Sequence, residues 1–172
     1  RGGDVILGSM GNGGVYRAKR GEAAASLWID PKVSGITFMA GVLADDATST
    51  LDACSGMGGA PPEQAAQKSA IRLFDLRTGA AKASYPMPYG AKSFCNDFAV
   101  DKAGNGYVTD TVGGAIHRLK KGGTALEEWV KDAKLAGADG IAIGGDGNVY
   151  VNSVFASKLF RVAVNQDGSA GA

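Results

Sequence analysis

The stretch NDFAVDKAGNGYVTDTVGGAIHRL, residues 96–119, decides the fold because it recurs 43 residues later as DGIAIGGDGNVYVNSVFASKLFRV, residues 139–162. The two copies align without a gap. A period of this length is typical of arrays of small structural units that bury their apolar faces only against one another. Identities in this alignment include Gly104 with Gly147, Asn105 with Asn148, Tyr107 with Tyr150, and Arg118 with Arg161.

Two further copies are more divergent. GDVILGSMGNGGVYRA, residues 3–18, aligns with residues 104–119 without a gap. A longer copy follows it, in which SGITF, residues 34–38, aligns with NDFAV, and LFDL, residues 73–76, aligns with IHRL. The 19 additional residues of this copy fall in a stretch rich in glycine, proline, alanine and serine. This composition predicts an inserted loop over about residues 46–68.

Each unit contains four short apolar runs separated by turn residues, and the sequence predicts an all-β fold. In the best-defined copy the predicted strands are residues 98–101, 106–110, 115–119 and 126–130. Short strands at even spacing are typical of sandwiches, barrels and propellers, and an exact period of four strands favours a β-propeller of four-stranded blades. By composition residues 126–136 could instead form a helix, but their place in the repeat favours an outer strand.

The units predict blades over about residues 1–30, 31–90, 91–133 and 134–172. The first unit lacks an inner strand and the last lacks an outer one, which leaves about three and a half blades. Complete propellers have four to eight. We expect the chain to be a fragment of a larger propeller; the alternative is that two copies associate to complete a ring.

Composition excludes some partners. The chain has 172 residues, of which 45% are apolar and 20% charged, and its formal net charge is +1. This balance gives no electrostatic reason to expect nucleic acid or an anionic membrane as a partner. No apolar run approaches the roughly 18 residues that a membrane span requires.

The segments SFCNDFAVDKAGNGYVTDTVGGAIHRL, residues 93–119, and GADGIAIGGDGNVYVNSVFASKLFRV, residues 137–162, resemble the gluconolactonase and senescence-marker-protein (regucalcin-like) family. The leading Asn-Asp is the more specific part of this resemblance, since binding propellers share the G-N-x-Y-V turn. The resemblance implies a six-bladed propeller and a metal-dependent hydrolase of lactones or related esters. It also implies one divalent ion, usually calcium, held by a Glu, two Asn and an Asp at the starts of inner strands.

In this chain the positions that match those ligands are Ser34, Asn96 and Asp139. Asn96 matches the Asn-Asp ligand motif. Asp139 matches either the second Asn or the Asp, and in the latter case it could act as catalytic base or nucleophile. Ser34 is not expected to be a ligand, and the Glu that should precede Gly3 is absent from the sequence. Both Asn96 and Asp139 could alternatively cap turns through their own backbone.

His117 is the only histidine. Its partners in the aligned repeats are Tyr16, Phe74 and Phe160, so the alignment predicts an aromatic packing position rather than a catalytic role.

The two cysteines, Cys54 and Cys95, are predicted to form a disulfide. Cys54 falls in the predicted insertion, which in a propeller overhangs the face where Asn96 begins its strand. The bond would tie this insertion, as a lid, beside the metal site. It would also place the protein in an oxidising compartment, outside the cell or in a periplasm.

Two functions remain open at this stage. The first is a calcium-dependent lactonase or esterase acting on a small molecule, with Asn96 and Asp139 as metal ligands and Asp139 as the catalytic group. The second is a non-enzymatic propeller that binds a protein or glycan, because a fold alone does not fix function.

Overall fold

The computed structural model describes residues 3–56 and 69–171. Among these residues, no helix has the length and apolar character that crossing a bilayer requires. One helical turn, α1, spans Pro31–Ser34, and the remaining regular structure is almost entirely strand. The strands are β1 Val5–Gly8, β2 Val15–Ala18, β3 Ser26–Ile29, β4 Phe38–Asp45, β5 Thr50–Gly56, β6 Ala70–Asp75, β7 Ala81–Pro86, β8 Cys95–Val100, β9 Gly106–Asp110, β10 Ala115–Leu119, β11 Glu127–Lys131, β12 Ala138–Ile143, β13 Val149–Ser153 and β14 Lys158–Val162.

The strands form four antiparallel sheets in chain order, which we call blades 1 to 4. Blade 1 is β1-β2-β3, blade 2 is β4-β5-β6-β7, blade 3 is β8-β9-β10-β11 and blade 4 is β12-β13-β14. The inner strand β8 packs against both β4 and β12, the inner strands of the neighbouring blades. This arrangement confirms the predicted all-β fold as a partial β-propeller, with three strands in the first and last described sheets.

The apolar core lies between blades rather than within them. One buried cluster joins blades 1 and 2, a second joins blades 2 and 3, and a third joins blades 3 and 4. Representative members are Val15 with Met39, Ile71 with Phe98, and Ile116 with Val149. A single blade therefore buries little by itself, as the repeat predicts.

Strand bounds in blade 3 match the sequence prediction closely. β9 and β10 begin and end at the predicted residues, and β11 is shifted by one residue. The segment that was also compatible with a helix is therefore a strand followed by a short 3-10 turn, Ala133–Leu135. β8 begins at Cys95, three residues earlier than predicted, because its first residues pair across a bulge.

Blade 2 differs from the prediction at the insertion. The predicted loop over residues 46–68 is wrong in its first part, because a tight turn at residues 46–49 leads into β5, Thr50–Gly56. Asp45 stabilises this turn by accepting hydrogen bonds from the Ala47 amide and the Thr48 hydroxyl. Residues 57–68 lie outside the described residues.

The pairing in blade 2 also corrects the aligned positions. Met39 pairs with Ser55 as Cys95 pairs with Asp110, so Ala40 occupies the place of Asn96. The predicted equivalence of Ser34 is wrong, since Ser34 ends α1 ahead of the strand. Alignment failed here because the turn of blade 2 differs in length and its inner strand shares almost no identities with the other copies.

Candidate functional site

The candidate site lies where the inner strands begin, at a β-bulge. β8 pairs with β9 at Cys95 and again at Phe98, so Asn96 and Asp97 stand out of the ladder. β12 has the same irregularity, which frees Asp139 and Gly140. A bulge re-aims side chains and is common beside functional sites. We call this end of the blades, defined by Asn96, Asp97, Asp139 and Gly140, the bulge face.

Two threonines on β9 and in the turn after it hold the bulges of blades 3 and 4 together. The Thr109 hydroxyl donates to the Asp139 carbonyl at 2.6 Å, and the Thr111 hydroxyl donates to the Ala138 carbonyl at 2.6 Å. Thr111 also accepts a hydrogen bond from the Asn96 side-chain amide at 3.0 Å. The structure therefore brings Asn96 and Asp139 to one junction, on neighbouring inner strands.

Asp97 is a site residue that the sequence analysis did not single out. Its Oδ2 accepts a hydrogen bond from the Ile141 amide of blade 4 at 3.1 Å, and its backbone amide donates to Thr109 Oγ1 at 3.0 Å. Glycines flank it on both sides, Gly41 of blade 2 and Gly140 of blade 4. The signal was present in the sequence, because Asp97 is the second residue of the Asn-Asp pair.

Asn152 is a second such residue, and it supports Asp139. Its side-chain amide donates to Asp139 Oδ2 at 3.3 Å. No described residue donates a hydrogen bond to Asp139 Oδ1 or to Asn96 Oδ1. Both side chains are half-buried. Each of these two residues thus presents one oxygen that is available to a ligand.

These side chains have the chemistry that a hard cation requires. Calcium takes carboxylate, amide and carbonyl oxygens as ligands, at roughly 2.3–2.6 Å. Within residues 3–56 and 69–171, no three or more His, Cys, Asp and Glu side chains form a group suited to a metal ion. An ion at the bulge face would therefore depend on amide oxygens as well as carboxylates, and Asn96 with Asp139 fits that description.

The pair His117 and Asp110 lies beside this face but is buried. His117 Nε2 lies 3.1 Å from Asp110 Oδ2, and both side chains are inaccessible to solvent. The strand pairing confirms that Tyr16 and Phe160 occupy the position of His117 in blades 1 and 4. In blade 2 that position is occupied by Arg72 rather than by Phe74. His117 keeps the aromatic contact through an edge-to-face packing with Tyr89.

Asp110 organises the turns around it. Burial by itself would raise its pKa, but hydrogen bonds from His117, Ser93 and the Phe94 and Gly113 amides hold the pKa below its usual value. The Ser93 hydroxyl donates to Asp110 at 2.6 Å rather than to the imidazole. Ser, Asp and His thus form a structural network, since a nucleophilic triad needs the serine against the histidine.

Cys54 and Cys95 are bonded to each other, as predicted, with their Cα atoms 5.2 Å apart. Cys54 lies on β5 and Cys95 begins β8, so the bond joins blades 2 and 3 immediately before Asn96. A structural disulfide of this kind is typical of proteins in oxidising compartments. Residues 57–68, which would contain the predicted lid, lie outside the described residues; Cys95 donates its amide to Ser69 just beyond them.

Comparison with known proteins supports the fold. No known protein family matches the chain, and no curated protein matches it in sequence. Among solved structures, it is similar to a catalytically inactive virginiamycin B lyase from Staphylococcus aureus with quinupristin (TM-score 0.73, 15% identity, 99% of this chain and 51% of that one). It is also similar to a chain of a nidogen/laminin complex (TM-score 0.69, 16% identity, 96% and 58%) and to a putative gluconolactonase (TM-score 0.68, 16% identity, 91% and 54%).

The chain spans about half the length of these structures. At such low identity the similarity shows the fold and does not distinguish among a lyase, a putative lactonase and a component of a protein complex.

Proposed function

We propose that this propeller is a lactonase-type hydrolase that uses a divalent cation, calcium in the first instance, bound at the bulge face. The observation that supports this proposal is the pairing of Asn96 and Asp139 on adjacent bulges, each with one oxygen that no described residue engages. Similarity to a putative gluconolactonase supports the same reaction class. The substrate class is a small lactone or ester.

The chemistry follows from the two side chains. When bound, calcium would polarise the ester carbonyl. Asp139 would remove a proton from water while the water oxygen forms a bond to the carbonyl carbon; the C–O ester bond then breaks and the proton passes to the departing alkoxide. Asn152 orients the Asp139 carboxylate through its hydrogen bond to Oδ2. Asn96 would supply a neutral ligand oxygen, which would leave the ion with more of its positive charge than a carboxylate ligand would.

A second function is favoured by a different observation on the same face. In blades 1, 3 and 4 the loops that follow β1, β9 and β13 carry exposed apolar side chains, namely Met10, Val112, Val154 and Phe155, the last of which is 74% exposed. Exposed apolar groups of this kind are typical of surfaces that contact protein partners. Similarity to a chain of the nidogen/laminin complex supports this non-enzymatic alternative.

The experiment that tests the hydrolase is a calcium titration of the full chain against a panel of lactones. We expect turnover that depends on calcium and is lost with EDTA, in Asn96→Ala and in Asp139→Asn. Asn165→Ala removes an exposed amide far from the bulge face and is the matched control. Calcium-independent turnover, or no turnover with any lactone, would contradict the proposal.

A further inference from the structure

A cavity of about 410 Å³ lies between blades 2 and 3, at the end of the strands opposite the bulge face. Its walls come from the hairpin turns at residues 45–50 and 104–106 and from the turn at residues 119–124. The side chains that matter to its chemistry are Asp52, Leu73, Tyr85 and Phe98.

Asp52 is the unusual member of this lining. Asp52 is only 4% exposed, and no described residue donates a hydrogen bond to its Oδ1. Burial raises its pKa to about 6, although a hydrogen bond with Thr50 opposes that rise. At neutral pH a mostly ionised carboxylate thus lacks a donor for one oxygen. Such a group costs free energy unless a partner is supplied.

The other blades show what is missing. The strand register shows which residues are equivalent in the different blades. Blades 3 and 4 have a tyrosine at the position of Asp52 and an arginine at the position of Leu73. In blade 2, a carboxylate has replaced the tyrosine, and the arginine has become leucine. The three rows across the first, second and third strands are Leu43–Asp52–Leu73, Ala99–Tyr107–Arg118 and Ala142–Tyr150–Arg161.

These differences leave an unfilled volume in blade 2 as well as an unpaired negative charge. Tyr107 and Tyr150 donate their hydroxyls to Asp101 and Asp146 in the turns of their own blades. In blade 2 the residue at the turn position of Asp101 is Asp45, which also lines the cavity. Blade 2 therefore has a second carboxylate in place of the phenol ring, and it has no guanidinium at the position of Leu73.

Lys120 and Lys121 line the cavity, but neither forms an ion pair with Asp52. Lys120 is exposed and its ammonium lies 3.1 Å from Glu127. Lys121 and Lys82 are exposed, and neither forms an ion pair with a carboxylate of the described residues. Lys82 acts on Asp52 only through a longer-range attraction.

We propose that this cavity binds a small organic ammonium ion, which donates an N–H to the Asp52 carboxylate and packs its alkyl chain against Leu73. The rings of Phe98 and Tyr85 line the same space, and aromatic rings attract cations. The ligand would supply the positive charge that an arginine supplies in the neighbouring blades. This site is separate from the bulge face and does not depend on lactonase activity.

The test is titration of the full chain with n-butylammonium, followed by calorimetry and by NMR shifts. We expect saturable binding to the wild type and, in Asp52→Asn, binding about tenfold weaker, because a charge-assisted hydrogen bond is lost. Asp132→Asn, which changes an exposed carboxylate and keeps a capping side chain, should bind as the wild type does. 1-Butanol tests for apolar binding alone, and tetramethylammonium tests for charge without an N–H donor.

A second variant separates binding from folding. Asp52→Tyr restores the residue of blades 3 and 4, so it should fill the cavity, place its hydroxyl near Asp45, keep the fold and abolish butylammonium binding. The proposal is overturned if butylammonium does not saturate the wild type or binds Asp52→Asn or Asp52→Tyr equally well. Equal binding of 1-butanol, or binding of calcium instead of the amine, overturns it too.

Discussion

The two junctions around blade 3 use the same strand position and different chemistry. Cys54 on β5 and Thr109 on β9 both lie one residue before the residue that pairs with the start of the inner strand. Cys54 reaches the next inner strand through a covalent bond to Cys95. Thr109 reaches it through a hydrogen bond to the Asp139 carbonyl.

This difference shows that the repeat preserves a place of attachment rather than a type of bond. Both attachments lie at the bulge face: Cys95 immediately precedes the bulge of blade 3, and Asp139 belongs to the bulge of blade 4. Each junction thereby fixes the position of the next candidate ligand, Asn96 in one case and Asp139 in the other. The comparison yields three predictions, in order of decreasing effect.

Removal of the disulfide by Cys54→Ala with Cys95→Ala should have the largest effect. Cross-linking residues separated by 41 positions contributes about 4 kcal/mol in the chain-entropy description, so we expect a loss of about that size in the free energy of unfolding. Urea denaturation of the full chain measures it. A loss below about 1 kcal/mol would show that hydrogen bonds and packing already fix this junction.

A pair of glycine variants should then separate the two sides of Asp97. In Gly41→Ala the new Cβ would overlap Asp97 Oδ1 and lie 2.8 Å from the Asn96 carbonyl, which is backbone and cannot move away cheaply. In Gly140→Ala it meets Asn152 Oδ1 at 2.8 Å, the end of a side chain that can rotate. We expect a loss of about 1–3 kcal/mol for Gly41→Ala and of less than about 1 kcal/mol for Gly140→Ala.

Thermal unfolding of both glycine variants, measured side by side, provides the comparison. Equal losses would mean that the bulges of blades 2 and 4 have the same tolerance and would remove the asymmetry inferred here.

The third prediction concerns Thr109→Val at the junction of blades 3 and 4, whose effect should be much smaller than that of the disulfide variant. Valine keeps the shape of threonine but removes the hydroxyl that serves the Asp139 carbonyl and the Asp97 amide. We expect a loss of about 1–2 kcal/mol in the free energy of unfolding. Thr124→Val, at an exposed position, is the control and should change stability little. A Thr109→Val loss as large as that of the disulfide variant would reverse the comparison.

The sequence predicted the features that the repeat itself encodes. The 43-residue period identified blades, and the bounds of β9 and β10 followed from apolar runs between glycine-rich turns. The disulfide followed from placing Cys54 and Cys95 on one face of adjacent blades. Each of these inferences relies on the repeat or on the pattern of apolar and turn residues, and both can be read from one sequence.

The rest depended on pairing that a linear alignment does not contain. The residue of blade 2 that is equivalent to Asn96 is Ala40 rather than Ser34, because a tight turn and β5 occupy part of the predicted insertion. The bond between Asp97 and the Ile141 amide arises from a bulge, which inserts residues into one strand only. The unusual character of Asp52 followed only from the strand register, which makes Asp52 equivalent to Tyr107 and Tyr150.

The Cys54–Cys95 bond also has a mechanical consequence. If the chain were pulled from its ends, blades 2 and 3 could separate from their neighbours. The segment between Cys54 and Cys95 would not extend, because the disulfide carries the force past it. At full extension that segment accounts for roughly 140 Å. A reducing agent would release this hidden length as an additional step in a single-molecule force trace.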